Sequence, residues 1–252
     1  MPEAEREAFL SEAFVKLADT LTADFDVIEL MHSLLEETIR IVPLQAGGLL
    51  IADENGDLRL VASTSESADF VEMMQLNAGL GPCLDCFKKG SPVAVADLER
   101  DGAAWLVFRD AALLRGYRSV FATPLRLRGR IIGTMNLFGT SVGELSSRDK
   151  AVAQALADVA TIAIISDRNV SASEVIAAQL QRALSSRLLI EQAKGVLSVT
   201  GAMSLEEAFA TMRAHSRNHN VPLRDVAAAV AERTLDLVSI TKVAAGLGAG
   251  RL

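Results

Sequence analysis

The chain has 252 residues, half of them apolar, with six prolines and a formal net charge of −7 at pH 7. This length predicts one large domain or two smaller ones, and the few prolines argue against disordered tails. No run approaches the ~20 apolar residues of a membrane span, and the acidic N-terminus lacks the basic-then-apolar order of a signal peptide. We therefore expect a cytoplasmic protein without membrane contact. Two cysteines exclude a disulfide framework.

Charge is distributed unevenly along the chain. Residues 1–172 hold 16 Lys/Arg and 25 Asp/Glu, a net charge of −9, whereas residues 173–252 hold 9 and 7, a net charge of +2. Because the acidic part repels polyanions, any contact with nucleic acid is expected in the C-terminal part.

The chain begins with two predicted helices and a hairpin. Apolar residues recur at helical spacing over residues 4–20 and again over residues 28–42. The period then changes, and residues 46–53 and 58–64 form short apolar runs. The sequence Asn55-Gly56 between them is typical of a β-hairpin turn.

Helices and strands alternate through the rest of the N-terminal part. Helices are expected at residues 66–76, 83–89 and 105–115 and from Ser146 or Ser147 onward, strands at 93–95, 119–127 and 130–138, and loops at 79–82 and 97–101. This order predicts an α+β domain with five or six antiparallel strands and helices packed behind them.

Two stretches of this part resemble a GAF domain. They are the loop GLGPCLDCFKKGSPVAVADL (79–98) and the hairpin SVFATPLRLRGRIIGTMNLF (119–138). The resemblance covers roughly residues 10–168 and implies a GAF sensory domain over residues 1–168. It names no ligand, because GAF domains bind many different molecules or none, so the signal is an unknown small molecule or another stimulus.

The sequence Cys83-x-x-Cys86 raises the alternative of metal or redox chemistry. A tetrahedral zinc site needs two more ligands, and none stands at motif spacing, so we expect no metal, no cofactor and no catalytic residue. GAF-fold methionine sulfoxide reductases also use cysteines, which makes a redox enzyme the rival class. Packing beside a ligand pocket between the sheet and its cap helices is the favoured interpretation. The pocket residues expected are Phe70, Cys83, Cys86, Trp105, Phe108 and Tyr117. For each aromatic residue taken singly, a place in the plain core is the alternative and the favoured one.

A long helical pattern follows the GAF-like part. Neither Pro nor Gly occurs between Ser147 and Lys194, and a helical pattern of this length favours a coiled coil. Polar residues predict a break near residues 166–174. We expect residues 169–183 to be a helical connector that pairs two copies of the chain as a homodimer. Two separate helices, each packed on its own domain, are the alternative.

The C-terminal part predicts a three-helix bundle. Gly201 is expected to cap its first helix, and Ser204 and Glu207 are spaced as a capping box for the second. A turn at 218–220 precedes a third helix from about Pro222 or Leu223. The residues expected to face the core are Leu205, Ala208, Phe209, Met212, Val226, Ala227, Val230 and Leu237.

Residues 187–232 resemble an ANTAR domain almost from end to end. The match includes IEQAKGVL (190–197), SLEEAF (204–209) and the segment LRDVA (223–227). ANTAR domains are three-helix RNA-binding modules of transcription antiterminators. The resemblance therefore implies an ANTAR domain over residues 184–240, followed by a tail over 241–252.

The resemblance further implies a non-enzymatic regulator that binds stem-loops of nascent RNA. The residues expected to contact RNA are Arg187, Gln192, Lys194, Gly195, Arg213, Ser216, Arg217, Asn218, Asn220 and Arg224. Gly195 is included because a glycine inside a helix costs about 1 kcal/mol relative to alanine, which indicates the close approach of a packed helix or a ligand. A DNA-binding regulator with a GAF sensor is the alternative, because Leu223–Arg233 is also compatible with half of a helix-turn-helix.

Overall fold

A computed structural model describes residues 9–13, 15, 27–53, 55–127, 129–165, 172–219 and 221–235 of the chain. The chain divides into two compact units, Met1–Leu180 and Gln181–Leu252. The first unit is built on one antiparallel sheet with flanking helices, and the second unit is helical. The predicted α+β class is therefore confirmed.

Apart from α4 (Leu98–Asp101) and the 3₁₀ helix (Gly102–Trp105), the elements follow one another in the order that the sequence predicts. They are α1 (Val27–Ile41), β1 (Ala46–Ala52), β2 (Leu58–Ser63), α2 (Glu66–Ala78), α3 (Pro82–Lys89), β3 (Val93–Val95), α4 (Leu98–Asp101), a 3₁₀ helix (Gly102–Trp105), α5 (Leu106–Leu114), β4 (Ser119–Leu127), β5 (Arg130–Gly139), α6 (Ser147–Ile165), α7 (Ala172–Gly201), α8 (Leu205–His219) and α9 (Leu223–Ala231). Residues 9–13 are also helical. None of the described helices is long and apolar enough to cross a membrane.

The sheet has the strand order β2-β1-β5-β4-β3, with every neighbouring pair antiparallel. One row across its centre joins Gly48, Asn136 and Ala122. Because successive residues of a strand face opposite sides, Gly47 and Gly48 lie against different layers of helices. Leu35 of α1 lies next to Gly47, on the side that α1 shares with α6. Helices α2 and α3 cover the other side, and α5 packs on α2.

The hairpin between β1 and β2 forms as predicted. Gly56 adopts a left-handed φ of 86° in its turn. The Asp53 carboxylate accepts hydrogen bonds from the backbone N–H groups of Asn55 and Asp57, both at 3.0 Å. These local hydrogen bonds explain why a short polar sequence is enough to reverse the chain here.

Two local predictions are wrong. Residues 98–101 form the short helix α4 instead of a loop, because the Asp97 carboxylate caps it by accepting hydrogen bonds from the N–H groups of Glu99 and Arg100. Gly201 is the last residue of α7 and not its left-handed cap. The left-handed residue is Ala202, with a φ of 50°, although this conformation costs a residue other than glycine about 1 kcal/mol.

The predicted capping box at the start of α8 is confirmed. The backbone N–H of Ser204 donates to Glu207 Oε2 at 2.8 Å, and the N–H of Glu207 donates to Ser204 Oγ at 3.1 Å. These hydrogen bonds lower the pKa of Glu207, and the one from the Ser204 backbone makes the largest contribution. Two N–H groups that helix geometry leaves unpaired are thus satisfied within the segment.

Helices α8 and α9 pack through the residues that the sequence assigns to the core. The fully buried members of the predicted set are Ala208, Met212, Val226, Ala227 and Val230. Phe209 is half-buried. Leu205 retains 38% of its exposure, so its predicted burial is wrong. Leu237 and most of the break predicted near residues 166–174 lie outside the described residues.

Replacing Ser204 by alanine tests whether the capping box stabilises α8. The variant keeps Glu207 but loses the hydroxyl acceptor, so we expect the free energy of unfolding of this helix to fall by about 1 kcal/mol. Amide hydrogen exchange in α8 and urea unfolding of the full chain measure the loss. Ser185→Ala is the matched control, because Ser185 is exposed within α7, where alanine is neutral or slightly stabilising. Equal behaviour of the two variants would contradict the prediction.

Candidate functional site

The centre of the GAF-like unit contains a completely buried carboxyl group. Glu72 points from α2 onto the central row of the sheet and has no exposed surface. A Cβ added to Gly48 would lie 2.4 Å from Glu72 Oε1. Position 48 therefore has no side chain because the carboxyl group of Glu72 occupies that space.

Amide groups hold this carboxyl group in place. The Nδ2 of Asn136 donates to both oxygens of Glu72, at 2.8 and 2.9 Å. The amide of Gln75, one helical turn farther along α2, donates to Glu72 Oε2. Gln75 Oε1 in turn accepts a hydrogen bond of 3.3 Å from the backbone N–H of Cys83, at the start of α3. The network thus joins the sheet, α2 and α3.

Burial raises the pKa of Glu72 to about 8, with a smaller contribution from the nearby charge of Asp69. The hydrogen bonds from Asn136 and Gln75 oppose this increase but do not cancel it. No Lys or Arg is among the described groups that shift this pKa. A carboxyl group in such an environment keeps its proton at neutral pH.

Two further polar atoms in the same region lack a partner. Asn136 Oδ1 and Thr134 Oγ1 are buried and make no hydrogen bond within the described part of the chain. Both residues belong to β5 and are separated by one residue, so their side chains lie on the same face of the sheet. Buried polar atoms without a partner are unusual and call for a physical explanation. We refer to Glu72, Gln75, Thr134 and Asn136 as the buried polar cluster.

The predicted pocket residues lie on both sides of the buried polar cluster. Its aromatic members, Phe70, Trp105, Phe108 and Tyr117, join one apolar cluster around Phe138. The Tyr117 and Phe138 rings stack with their centroids 5.1 Å apart.

The second apolar cluster contains Cys83. This residue packs with Leu50, Leu58 and Leu60, and Leu50 pairs with Thr134 across the sheet. Phe138, Asn136 and Thr134 follow one another on the same face of β5. The polar cluster therefore separates the aromatic part of the predicted pocket from Cys83.

Neither thiol is activated. Cys83 and Cys86 are both fully buried. Burial raises the pKa of Cys83 well above its usual value and that of Cys86 to about 12. Because the thiolate is the reactive form of cysteine, both side chains are inert in this environment. Among the described residues, no group of three or more His, Cys, Asp and Glu side chains could hold a metal ion.

The C-terminal unit buries two of the predicted RNA-binding cations. Lys194 and Arg213 are only 7% and 4% exposed. Their charged groups lie 6.0 and 5.7 Å from the centre of the Phe209 ring, which is the range of cation–π attraction. Lys194 Nζ also donates to both carboxylate oxygens of Glu191, at 3.1 and 3.0 Å.

Other predicted RNA-binding residues lie at the surface. Gln192, Arg217, Asn218 and Arg224 are exposed, and Arg187 is half-buried. Arg217 and Asn218 end α8 and Arg224 lies in the first turn of α9, so these three flank one corner between the helices. Ser216 is buried, and its hydroxyl donates to the Val221 carbonyl at 2.6 Å, which closes this corner. Asn220 lies outside the described residues.

Gly195 has open space beside it. A Cβ added at this position would meet no described atom within 4 Å, apart from its immediate neighbours and the backbone of its own helix. The packing of the described residues therefore does not require a glycine here.

The sequence prediction missed the buried polar cluster. The available signal was Glu72 and Gln75 on the same face of α2 as Ala68 and Val71, all of them buried. Asn136 in the apolar strand IIGTMNLFG was a second signal. Polar residues at core positions indicate a specific partner or a site.

The pH dependence of stability tests the environment of Glu72. Because the pKa is about 8 in the folded chain and 4.5 in the reference state, folding favours the protonated form. The contribution of Glu72 is therefore present below pH 4.5 and is lost as the pH rises through about 8. We expect Glu72→Gln, which cannot ionise, to gain in free energy of unfolding relative to the wild type over this range.

Urea unfolding of both proteins at several pH values measures this difference. Glu66→Gln is the control, because Glu66 is exposed on the same helix. A difference between wild type and Glu72→Gln that does not change with pH would contradict the burial of an ionisable carboxyl group.

Several solved structures are similar to this chain. The GAF domain of the Acinetobacter phosphoenolpyruvate-protein phosphotransferase has 11% identity and a TM-score of 0.48, with 72% of this chain and 97% of that chain covered. The free methionine-R-sulfoxide reductase of Neisseria meningitidis, solved with its substrate, has 18% identity and a TM-score of 0.46, with 71% and 92% covered. A GAF domain/HD domain protein from Geobacter sulfurreducens has 17% identity and a TM-score of 0.45, with 64% and 98% covered. None of the curated proteins matches the chain.

Family models match both parts of the sequence. The model of the GAF domain matches residues 26–165, which is more than half of the chain. The model of the ANTAR domain matches residues 178–230. The two matches follow in the order that the sequence motifs predict. The chain therefore belongs to the GAF domain family and has the architecture of a GAF–ANTAR two-domain regulator.

Proposed function

We propose that this chain is a non-enzymatic, cytoplasmic regulator of transcription antitermination. The GAF domain senses a small molecule, and the ANTAR domain binds stem-loops of nascent RNA and prevents a terminator from forming. The observation that carries the proposal is the ANTAR match over residues 178–230 directly after a GAF domain. The inert thiols of the GAF domain support a sensor over a redox enzyme.

The corner between α8 and α9 is the proposed first contact with RNA. Arg217 and Arg224 supply exposed cations for phosphates, and the Asn218 amide supplies directional hydrogen bonds to unpaired bases. Single-stranded loops offer both kinds of group, because their bases are splayed away from a duplex. Asn220, in the same turn of the sequence, is proposed to contribute a second amide.

The remaining residues predicted to contact RNA form two groups, one partly exposed and one buried. Arg187, Gln192 and Gly195 of α7 offer a second, partly exposed surface for RNA. Lys194 reaches RNA only by leaving Glu191, and Arg213 only by leaving the Phe209 ring. We propose that these two cations and Ser216 mainly hold α7, α8 and the corner in position.

The connector at residues 169–183 is proposed to pair two copies of the chain. An RNA with two stem-loops offers two sites, and a dimer brings two ANTAR domains to them at high effective concentration. The absence of Pro and Gly between Ser147 and Lys194 supports this arrangement.

Replacing the exposed arginines tests the RNA-binding surface. We expect Arg217→Ala and Arg224→Ala each to weaken binding to a double stem-loop RNA and to lower the salt slope by about one. Fluorescence anisotropy of the full chain at several salt concentrations measures both quantities. Arg130→Ala is the control, because it removes an exposed arginine from the GAF domain. Equal affinities of the wild type and both variants would remove this corner from the proposal.

Duplex DNA at matched salt tests the alternative function. Preference for duplex DNA would make the protein a DNA-binding regulator.

Lys194→Ala adds a further test in the same assay. Weaker binding by a folded variant would place Lys194 in contact with RNA, whereas unchanged affinity would leave it with a packing role.

Sedimentation of the full chain at micromolar concentration tests the dimer. We expect the mass of two chains, because the connector offers a helical surface for pairing. If the chain sediments only as a monomer at these concentrations, the proposed dimer is contradicted. The RNA-binding surface is tested separately, by the RNA titration.

A further inference from the structure

Two histidines lie on one face of α8, close to its end. His215 and His219 are four residues apart, so their side chains project from neighbouring turns of the helix. Their rings stack with the centroids 4.0 Å apart and the planes inclined by 21°. His219 is exposed and His215 is half-buried, so an ion from the solvent can reach the pair.

A backbone hydrogen bond fixes the proton on one of these rings. The Nδ1 of His219 lies 3.0 Å from the carbonyl oxygen of His215. A carbonyl oxygen can only accept a hydrogen bond, so Nδ1 carries the proton and the lone pair of the neutral ring is on Nε2. Metal-binding histidines commonly donate their second N–H to a backbone carbonyl in this way, which fixes the orientation of the ring. His219 is thus held in the form that binds a metal ion through Nε2.

The environment of His215 also favours the neutral ring. Burial lowers the pKa of His215, and the neighbouring His219 lowers it further. Within the described part of the chain, no group forms a hydrogen bond with the His215 ring. Because the neutral imidazole is the form that binds metals, this ring keeps a lone pair available for an ion.

The end of the helix is a favourable place for a cation. His219 is the last residue of α8, where the carbonyl groups of a helix give a partial negative charge. Arg217 lies between the two histidines in the sequence. Residues two apart on a helix do not face each other, so the helix does not place this charge next to the pair.

We propose that His215 and His219 together bind one divalent transition-metal ion of the class that prefers imidazole ligands, such as Zn²⁺. The same spacing of two histidines on one helix face binds zinc in metalloproteases with the sequence H-E-x-x-H. The sequence here is HSRNH (215–219), which has no glutamate to act as a general base, so we assign the site a binding role and no hydrolytic one. Water completes the coordination, because the described residues offer no group of three His, Cys, Asp or Glu side chains for one ion.

A bound ion holds the end of α8 in its folded form. It links two neighbouring turns of the helix, and a ligand that binds the folded segment in preference to the unfolded one stabilises it. The same segment contains Ser216, whose hydroxyl closes the corner between α8 and α9. Metal binding therefore stabilises this corner, whether or not the corner binds RNA.

Isothermal titration calorimetry of the untagged full chain with ZnCl₂ tests the site. Excess MgCl₂ is present throughout, because Mg²⁺ prefers oxygen ligands and occupies exposed carboxylates without competing for imidazole. We expect a single Zn²⁺ to bind to each chain. The two buried cysteines should not contribute, since burial raises the pKa of both thiols.

His215→Gln and His219→Gln locate the site. Each variant removes one ligand, so we expect Zn²⁺ to bind about tenfold more weakly, because the remaining imidazole loses the help of a second ligand on the same chain. His32→Gln is the control. It removes the third histidine of the chain, which lies on α1 in the GAF domain, and it should bind Zn²⁺ as the wild type does.

Exchanging residues 217 and 219 tests the geometry of the pair. The double variant Arg217→His, His219→Arg keeps the composition of the chain but places its two histidines on opposite sides of α8. We expect this variant to bind Zn²⁺ as weakly as the glutamine variants do.

Amide hydrogen exchange of the wild type provides a measurement that does not depend on any variant. Zn²⁺ should slow exchange in residues 215–221 and leave α1 unchanged. No binding of Zn²⁺ in the presence of Mg²⁺, equal binding by the wild type and the glutamine variants, equal binding by the exchange variant, or unchanged exchange at the end of α8 would each overturn the proposal. RNA is absent from these measurements, so their outcome is independent of the proposed RNA-binding function.

Discussion

The contact between the Glu72 carboxyl group and the backbone of Gly48 determines how the GAF domain is assembled on one face of its sheet. No side chain other than hydrogen fits at position 48 while Glu72 lies there. The same carboxyl group engages Asn136 of the central strand and, through Gln75, the start of α3. Two apolar clusters then pack on either side of this polar centre. The arrangement of sheet, α2 and α3 therefore depends on a group that a hydrophobic core would not contain.

The two units satisfy their polar groups in different ways. In the ANTAR unit, the capping box of Ser204 and Glu207 and the hydroxyl of Ser216 pair polar atoms with nearby backbone groups. These are short-range solutions that stabilise helix ends. In the GAF domain, the polar centre joins residues that are distant in the sequence, and two acceptors remain without a described partner. Buried acceptors without a partner lower the stability of a fold, and such destabilising groups are found most often at functional sites.

Much of the fold could be predicted from the sequence because its signals are local. Helical periodicity, the Asn55-Gly56 turn and the capping box of Ser204 all depend on residues a few positions apart. The buried polar cluster could not be predicted in this way, since the partners Glu72 and Asn136 are 64 positions apart. The contact of Lys194 with the Phe209 ring is also a tertiary effect, because the ring lies on a different helix from Lys194. The sequence motifs identify both families. Which residues of these motifs are exposed and which are buried depends on how the helices pack, and the motifs alone do not show this.

The glycine at position 195 does not stabilise the described fold. The helix around it would be more stable with alanine, and the described residues leave room for the extra methyl group. Packing among the described residues thus gives no reason for a glycine at this position. Under the proposed function the reason is RNA, which approaches the α7 backbone at this position more closely than a Cβ permits. Under the same proposal, alanine at position 195 favours the free protein and obstructs its complex with RNA, so stability and binding change in opposite directions.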